Sequence, residues 1–210
     1  PKTAWPPTFK DFLPHDSLGR LTMSLNAQGK RFNPFDLQTA SNVDLTIDRF
    51  DYLGYAYNNI GLQLSLQGQL LKGFIYSQNP ALRFSLGLNG NLTEKQQTIA
   101  IQGKIDSCYL DRMHLMTEPI GGTLALNLSA SASADSSYSA ILHIDSITLW
   151  NGWKKNSIRP VNLSFATSPA HTRIGLKSGD LTLGFDSPSG VNSLSTRFSR
   201  GAFLMAEMLR

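Results

Sequence analysis

Strict alternation of apolar and polar residues limits the possible folds of this chain more than any other feature. Ile60, Leu62, Leu64 and Leu66 alternate with Gly, Gln and Ser, which is the period of a strand with one buried face. The same alternation recurs at 21–27, 43–47, 82–88, 99–105, 124–130, 142–149, 161–165, 174–176 and 181–185. Turn signals separate these runs. The pattern predicts an all-β, antiparallel meander of about eleven strands, with long extended segments at 54–66 and 137–150.

The alternation changes phase at two places. The apolar set moves from Ile47 to Phe50, and again from Ile144 to Ile147. A one-residue slip keeps both halves of a strand on the same face only if a β-bulge intervenes. We therefore predict bulges next to Arg49 and next to Ser146, which bend the sheet.

The two phase changes belong to an internal repeat. Leu45-x-Ile47-Asp48 matches Leu142-x-Ile144-Asp145, and flanking strands match in the same order, with an offset of about 97 to 103 residues. We interpret residues 1–186 as a β-strand trough domain built from two strand modules, at about 19–90 and 122–186.

The end of the chain has a different period. Its apolar residues are spaced as on one side of a helix, so 187–210 is predicted to be an amphipathic helix that begins near Ser187-Pro188. We expect the helix to plug an open end of the sheet or to dock on a further part of a longer protein. Its apolar stripe comprises Leu194, Phe198, Met205 and Leu209.

Composition argues against several functional classes. Charged residues make up 16%, and the net charge of +4 is scattered; the densest basic group is Lys154, Lys155 and Arg159. Nucleic-acid binding usually needs a concentrated basic face, so it is not expected. A single cysteine, Cys108, excludes an internal disulfide. Without an apolar run of about 18 residues the segment itself is not expected to be transmembrane. Because the chain opens on Pro1 without a signal peptide, we expect a piece of a longer exported protein.

Catalytic and metal-binding groups show no grouping along the sequence. The four histidines, at 15, 114, 143 and 171, lack partners at metal-ligand spacing, and His143 is expected on the polar side of its strand. Asp48 and Asp145 occupy equivalent positions beside the predicted bulges, where a hydrogen-bonding role is expected. No nucleophile elbow or phosphate loop is present. We therefore expect no enzyme, no catalytic or metal residues and no cofactor.

A sheet made of one-sided strands must cover its apolar face. It can close as a sandwich or barrel, or curl into a trough that holds an apolar ligand. A carbohydrate-binding sandwich would need exposed aromatics, for which Trp150 and Trp153 are the candidates, but we expect both to pack at a hairpin end. If a trough forms, strand alternation predicts its lining: Leu21, Met23, Leu25, Leu45, Ile47, Leu62, Leu64, Leu66, Leu82, Phe84, Leu86, Ile99, Ile101, Leu124, Leu126, Leu128, Leu142, Ile144, Leu163, Phe165, Leu181 and Leu183. An uninterrupted lining needs Arg112 and His114 on the outer face.

The spacing of glycines and apolar residues resembles the AsmA-like superfamily, and within it the TamB translocation and assembly proteins in a form like that of Bacteroidetes. The segments that carry the resemblance are Gly19–Gly29, Asn33-Pro34-Phe35, Leu45–Asp48, Gly54–Tyr57, Gly68–Gly73, Ser77–Gly90 and Asp180–Gly190.

The resemblance implies an elongated, curled meander, the β-taco-like trough, in the periplasmic part of an inner-membrane-anchored protein of a Gram-negative bacterium. Phospholipid acyl chains would move through the trough between the inner and outer membranes in outer-membrane biogenesis. The full-length protein would partner a TamA-like outer-membrane barrel. The alternative is a scaffold that does not conduct lipid and whose exposed strand edges assist outer-membrane protein assembly and secretion, such as that of autotransporters.

Overall fold

The computed structural model describes residues 18–31 and 33–190, which form strands joined by turns, with no helix among them. The strands are β1 (Leu18–Lys30), β2 (Ala40–Tyr52), β3 (Tyr55–Tyr57), β4 (Ile60–Gln67), β5 (Leu70–Gln78), β6 (Leu82–Leu92), β7 (Gln96–Tyr109), β8 (Ile120–Ser133), β9 (Tyr138–Asn151), β10 (Lys154–Ile158), β11 (Val161–Ser168), β12 (His171–Ser178) and β13 (Leu181–Ser187). Ser187 ends β13 and residues 188–190 are not helical, so the predicted helix does not begin at Ser187-Pro188; the rest of it, with its apolar stripe, lies outside the described residues.

All strands belong to one antiparallel sheet. Its order is β1-β2-β4-β5-β6-β7-β8-β9-β11-β12-β13, with β3 paired to β2 and β10 paired to β9. The sheet does not close, because β1 and β13 do not pair with each other. The predicted all-β meander of about eleven strands is therefore confirmed, and two short strands are added beside it.

Each of the two short strands continues into a longer one across a kink. β2 pairs with β4 through Ala40–Ile47 and with β3 through Phe50–Tyr52. β9 pairs with β11 up to Ile144 and with β10 from Ile147 onward. The chain therefore kinks at residues 58–59 and again at 159–160. The prediction of one unbroken segment over 54–66 was wrong because Asn59 takes a positive φ of 56°, whereas the segment predicted at 137–150 matches β9.

Bulges lie opposite both kinks, as the phase changes predicted. On β2 the register shifts between Ile47 and Arg49, and on β9 it shifts between Asp145 and Thr148. Two further shifts were not predicted, one on β7 between Ile105 and Cys108 and one on β1 between Leu18 and Leu21. The shifts on β2, β7 and β9 each lie at an Ile-Asp pair. Ser146 takes a positive φ of 52°, which is the left-handed backbone that one type of bulge requires.

Strand pairing follows the same scheme in the two predicted modules. In each module a long bulged strand pairs with a kinked strand pair, β2 with β3–β4 and β9 with β10–β11, and two further strands follow. The two-module interpretation stays a prediction, in which β7 would be the strand that joins the modules.

The small buried core lies at the bulged end of the sheet. Among the described residues Tyr57, Ala81 and Met113 are the buried hydrophobic side chains. Partly buried neighbours pack around them, among them Phe50, Tyr52, Tyr55, Ile60, Leu82, Cys108, Tyr109 and Leu110. We call this group the end cluster. Met113 reaches it from the connection between β7 and β8, over the short β5–β6 turn.

Polar groups within the end cluster are paired. The buried Asn79 side chain accepts a hydrogen bond from Tyr55 Oη at 2.6 Å and donates to the Ala56 carbonyl at 3.2 Å. The Tyr109 amide donates to the Ala81 carbonyl at 2.8 Å. Burial raises the pKa of the Tyr57 hydroxyl and that of the Cys108 thiol. These contacts tie the turns at this end to one another.

Candidate functional site

One face of the sheet carries rows of apolar side chains that run across the strands. Because strand partners lie directly opposite one another, the strand register identifies each row. The central row consists of Ala27, Val43, Leu64, Gly73, Leu88, Ile101, Leu128, Leu142, Leu163, Leu176 and Leu183. It crosses all eleven strands of the main path without a polar residue.

A parallel row flanks the central one on each side. Towards the bulges it comprises Leu25, Leu45, Leu62, Ile75, Leu86, Gly103, Leu126, Ile144, Val161, Ser178 and Leu181. On the other side it comprises Gly29, Ser41, Leu66, Leu71, Gly90, Ile99, Ala130, Ala140, Phe165, Ile174 and Phe185. Ser41 and Ser178 are the polar side chains of the three rows, and none of the rows contains a charge. We call these rows the apolar face.

The residues predicted to line a trough all lie on this side of the sheet. Sixteen of them belong to the three rows. The other six lie nearer the bulges, where Leu21 pairs with Phe50, Met23 with Ile47, Leu82 with Cys108, and Ile105 with both Phe84 and Leu124. The structure thus brings them onto one surface, and their role as a lining remains a prediction.

Sequence reasoning missed the contribution of β5. Leu71, Gly73 and Ile75 supply one position to each row, but β5 was not among the predicted strands. Its alternation is obscured because Gly73 lies on the apolar side while Phe74 and Tyr76, stacked at 5.7 Å, lie on the other. The spacing of Leu71 and Ile75 was the available signal.

The opposite face is polar along an equivalent row. That row comprises Asn26, Asp44, Gln63, Phe74, Gly87, Gln102, Asn127, His143, Asn162, Lys177 and Thr182. His143 lies here as predicted, with Nδ1 2.6 Å from Asn162 Oδ1 and Nε2 3.4 Å from Asp145. Amide and charged groups are thus segregated from the apolar face.

Charged side chains near β13 also pair on the polar side. Asp186 accepts hydrogen bonds from Arg173 at 3.0 Å and lies 2.6 Å from His171 Nε2. The Arg173 hydrogen bond, with a smaller contribution from His171, lowers the pKa of Asp186 below its ordinary value. The pairing keeps these charges at the surface opposite the apolar rows.

The apolar face is open to solvent, and its side chains are most exposed in the two edge strands, β1 and β13. Leu25 in β1 is 61% exposed and Leu183 in β13 is 57% exposed, whereas Leu163 nearer the middle is 37% exposed. Side chains of the central strands are half-buried by their neighbours on the same face. No second layer covers the sheet within the described residues. The sandwich and barrel alternatives are therefore not what these residues form.

The join between the two predicted modules is uninterrupted. β7 contributes Ile99, Ile101, Gly103 and Ile105 to the apolar side, between β6 and β8. Arg112 and His114 lie off the sheet, in the exposed β7–β8 connection.

Each of these two side chains has a local partner near the end cluster. The Arg112 guanidinium stacks over the Tyr109 ring at 4.2 Å. His114 Nδ1 lies 2.9 Å from the Leu53 carbonyl oxygen. Neither side chain interrupts the apolar rows.

A polar depression of about 540 Å³ lies on the face opposite the rows. Its lining includes Asn26, Asp44, Gln63, Lys72 and Phe74. These amide and charged groups would leave an acyl chain beside unsatisfied polar atoms, so the depression does not suit an apolar ligand. An apolar ligand would instead lie on the open rows.

The described part of the chain contains neither a metal-binding cluster nor a membrane-spanning helix. Residues 18–31 and 33–190 contain no group of three or more His, Cys, Asp or Glu side chains placed to hold a metal ion. Among the same residues, no helix has the length and apolar character needed to cross a bilayer. No family model matches the chain, and neither a curated protein nor a solved structure is detectably similar to it.

Proposed function

We propose that this chain is a lipid-carrying segment of a TamB/AsmA-like protein, and that acyl chains lie on its apolar face. The observation that carries the proposal is an uncharged apolar surface that continues across eleven strands of an unclosed sheet. Soluble proteins rarely leave such a surface bare. A mobile apolar ligand explains why it is both extended and uncovered.

The dimensions of the face fit acyl chains. Neighbouring strands are about 4.8 Å apart, so eleven strands extend about 48 Å across the sheet. Residues two apart along a strand are separated by about 7 Å, so three rows form a strip about 14 Å wide. Each methylene removed from water contributes about 0.8 kcal/mol, and a charge on the strip would oppose binding. The end cluster limits the strip on the bulged side.

The proposal includes a cellular setting. The segment would act in the periplasm as part of an inner-membrane-anchored protein, passing phospholipid toward the outer membrane. Its full-length protein would work with a TamA-like outer-membrane barrel. It would need no cofactor and would catalyse no reaction.

A matched pair of substitutions on β4 tests the proposal. Leu64 lies in the central row, and its neighbour Gln63 points to the polar face. We expect Leu64→Asp to abolish both lipid co-purification, measured by mass spectrometry, and acyl-chain crosslinking, whereas Gln63→Asp should preserve them. Both variants should keep the wild-type circular dichroism, because Leu64 is not enclosed. Wild-type protein that carries no lipid and forms no lipid crosslink would contradict the proposal.

A second candidate function rests on the sheet edges. Among the described residues, β1 and β13 each pair with another strand on one edge only, and every residue of β1 is exposed. Unpaired edges can accept another strand by β-augmentation. As a scaffold for outer-membrane protein assembly, the chain would gain hydrogen-exchange protection in β1 or β13 when strands of an outer-membrane protein are added. The lipid-transport proposal predicts instead that added phospholipid, and not added protein strands, increases hydrogen-exchange protection.

A further inference from the structure

The tip of the β9–β10 hairpin combines an exposed aromatic ring with unpaired positive charge. β9 ends at Asn151 and β10 begins at Lys154, so Gly152 and Trp153 form a two-residue turn. Trp153 is fully exposed, at 103% of its reference area. Tryptophan is seldom left bare at a surface, since its ring is the largest apolar group a protein carries.

The hairpin holds Trp153 in a fixed position. The Gly152 amide donates a hydrogen bond to the Pro119 carbonyl at 3.0 Å, and its positive φ of 58° suits glycine. At the base, Trp150 packs against Tyr109 with ring centroids 5.3 Å apart and leaves no room for a side chain at Gly121. The expectation that both tryptophans pack at the hairpin end therefore holds for Trp150, which anchors the hairpin, and was wrong for Trp153, which projects from it.

Positive charge surrounds the tip. Lys154 and Lys155 follow Trp153 directly, and all of β10 is exposed. Neither lysine forms an ion pair within the described residues, in contrast to Arg159, which pairs with Asp180 at 2.7 Å. The sequence from 146 to 179 contains five lysines and arginines and no aspartate or glutamate. In the neighbouring connection, the Glu118 carboxylate next to Pro119 accepts a hydrogen bond from the Thr117 hydroxyl at 3.1 Å.

The connection bonded to the tip exposes further apolar side chains. Leu115 is 46% exposed and Met116 is 45% exposed, and both precede Pro119 in the β7–β8 connection. Two neighbouring loops at the same end of the sheet thus present apolar side chains. We call Trp153, Lys154 and Lys155 with Leu115 and Met116 the hairpin tip patch.

We propose that the hairpin tip patch docks on the surface of an anionic bilayer. Tryptophan rings favour the boundary between headgroups and acyl chains, and lysines near an anionic surface are attracted to it. Trp153, Leu115 and Met116 supply the inserting apolar groups, while Lys154 and Lys155 contact the lipid phosphates. Nucleic acid is a poorer fit, because the basic group is small and is not spread along one face of the sheet. The docking surface is separate from the apolar face and does not depend on what that face carries.

Vesicle binding by the full chain tests the proposal. In a variant with Trp5→Phe and Trp150→Phe, Trp153 is the remaining tryptophan. We expect its emission to shift to the blue and to be quenched by brominated acyl chains in vesicles containing phosphatidylglycerol. Vesicles of pure phosphatidylcholine should bind more weakly. Unquenched Trp153 emission on sedimented vesicles would overturn the proposal, because another part of the chain would then make the contact.

Substitutions separate charge from insertion. Lys154→Ser with Lys155→Ser should weaken binding to anionic vesicles about 25-fold, at about fivefold per lysine. Trp153→Ser should weaken it about tenfold. The control is Lys177→Ser, another lysine without a described ion pair, which lies on the polar face of β12 and should change binding less than twofold.

Two further results would also overturn the proposal: equal binding by the Trp153 variant and wild type, or retention on DNA but not on vesicles. Acyl-chain crosslinking at Leu64 is a separate readout. The absence of crosslinking in the wild-type chain would count against the proposed lipid-carrying face and leave the docking proposal unaffected.

Discussion

Two glycines on the apolar face differ in what surrounds them. A Cβ at Gly103 would meet Leu86 Cα at 2.8 Å as well as the Ser85 carbonyl, both of them backbone. A Cβ at Gly73 would instead meet the end of the Leu64 side chain, Cδ2, at 2.6 Å. Leu64 can rotate away, whereas the β6 backbone can move only with the sheet. We expect Gly103→Ala to lower the free energy of unfolding by about 2 kcal/mol and Gly73→Ala by about 1 kcal/mol or less. Urea unfolding measures both; equal costs would contradict this account of the packing.

At the scale of the strand, two bulges of the same sequence differ in backbone conformation. Ile105-Asp106-Ser107 and Ile144-Asp145-Ser146 share a sequence, yet only Ser146 takes a positive φ, of 52°. A β-branched residue is strained in that conformation, while glycine is not. Ser146→Val should therefore lower the free energy of unfolding by about 1 to 2 kcal/mol relative to Ser146→Gly. Ser107→Val relative to Ser107→Gly is the matched comparison and should show no such loss in chemical denaturation. A similar loss at Ser107 would show that the backbone conformation is not the cause.

The strands also show how far sequence alone could lead. Each run of alternation states which side chains share a face, so the predicted lining residues fall on one side without any knowledge of strand order. At both kinks the residues on the apolar side change parity, from Tyr55 and Tyr57 to Ile60 and Leu62, and from Asn156 and Ile158 to Val161 and Leu163. The first change could have been read from the sequence and was overlooked, whereas Asn156 hides the second. The bulge on β7, after Ile105-Asp106, follows a sequence pair already recognised at Asp48 and Asp145, but it was overlooked. Alternation is the same in a sandwich and in an open sheet, so only the pairing shows that the sheet is not closed.

At the scale of the whole molecule, stability depends on neighbouring strands. In the described part of the chain, every pair of strands in extensive contact is a hydrogen-bonded pair in the sheet. Such an arrangement is close to one-dimensional, as in solenoid proteins, and each strand is stabilised by the two beside it. The apolar face adds contacts along the rows, which are most numerous for central strands and fewest for β1 and β13. Exposure follows the same order, from Leu25 at 61% to Leu163 at 37%.

This gradient predicts the pattern of amide hydrogen exchange in the lipid-free protein. Local opening costs the least free energy where few neighbours are lost, so protection should be greatest in β7 and β8 and fall steadily toward β1 and β13. The β7 strand is decisive, because it joins the two predicted modules. A single continuous sheet requires maximal protection there, since β7 has a long, fully paired neighbour on each side. Two separately stable modules would instead give two maxima, near β4–β5 and near β9–β11, with a minimum at β7. Exchange measured by mass spectrometry on peptides from β7 distinguishes the two patterns, and a minimum at β7 would contradict a sheet that opens as one cooperative unit.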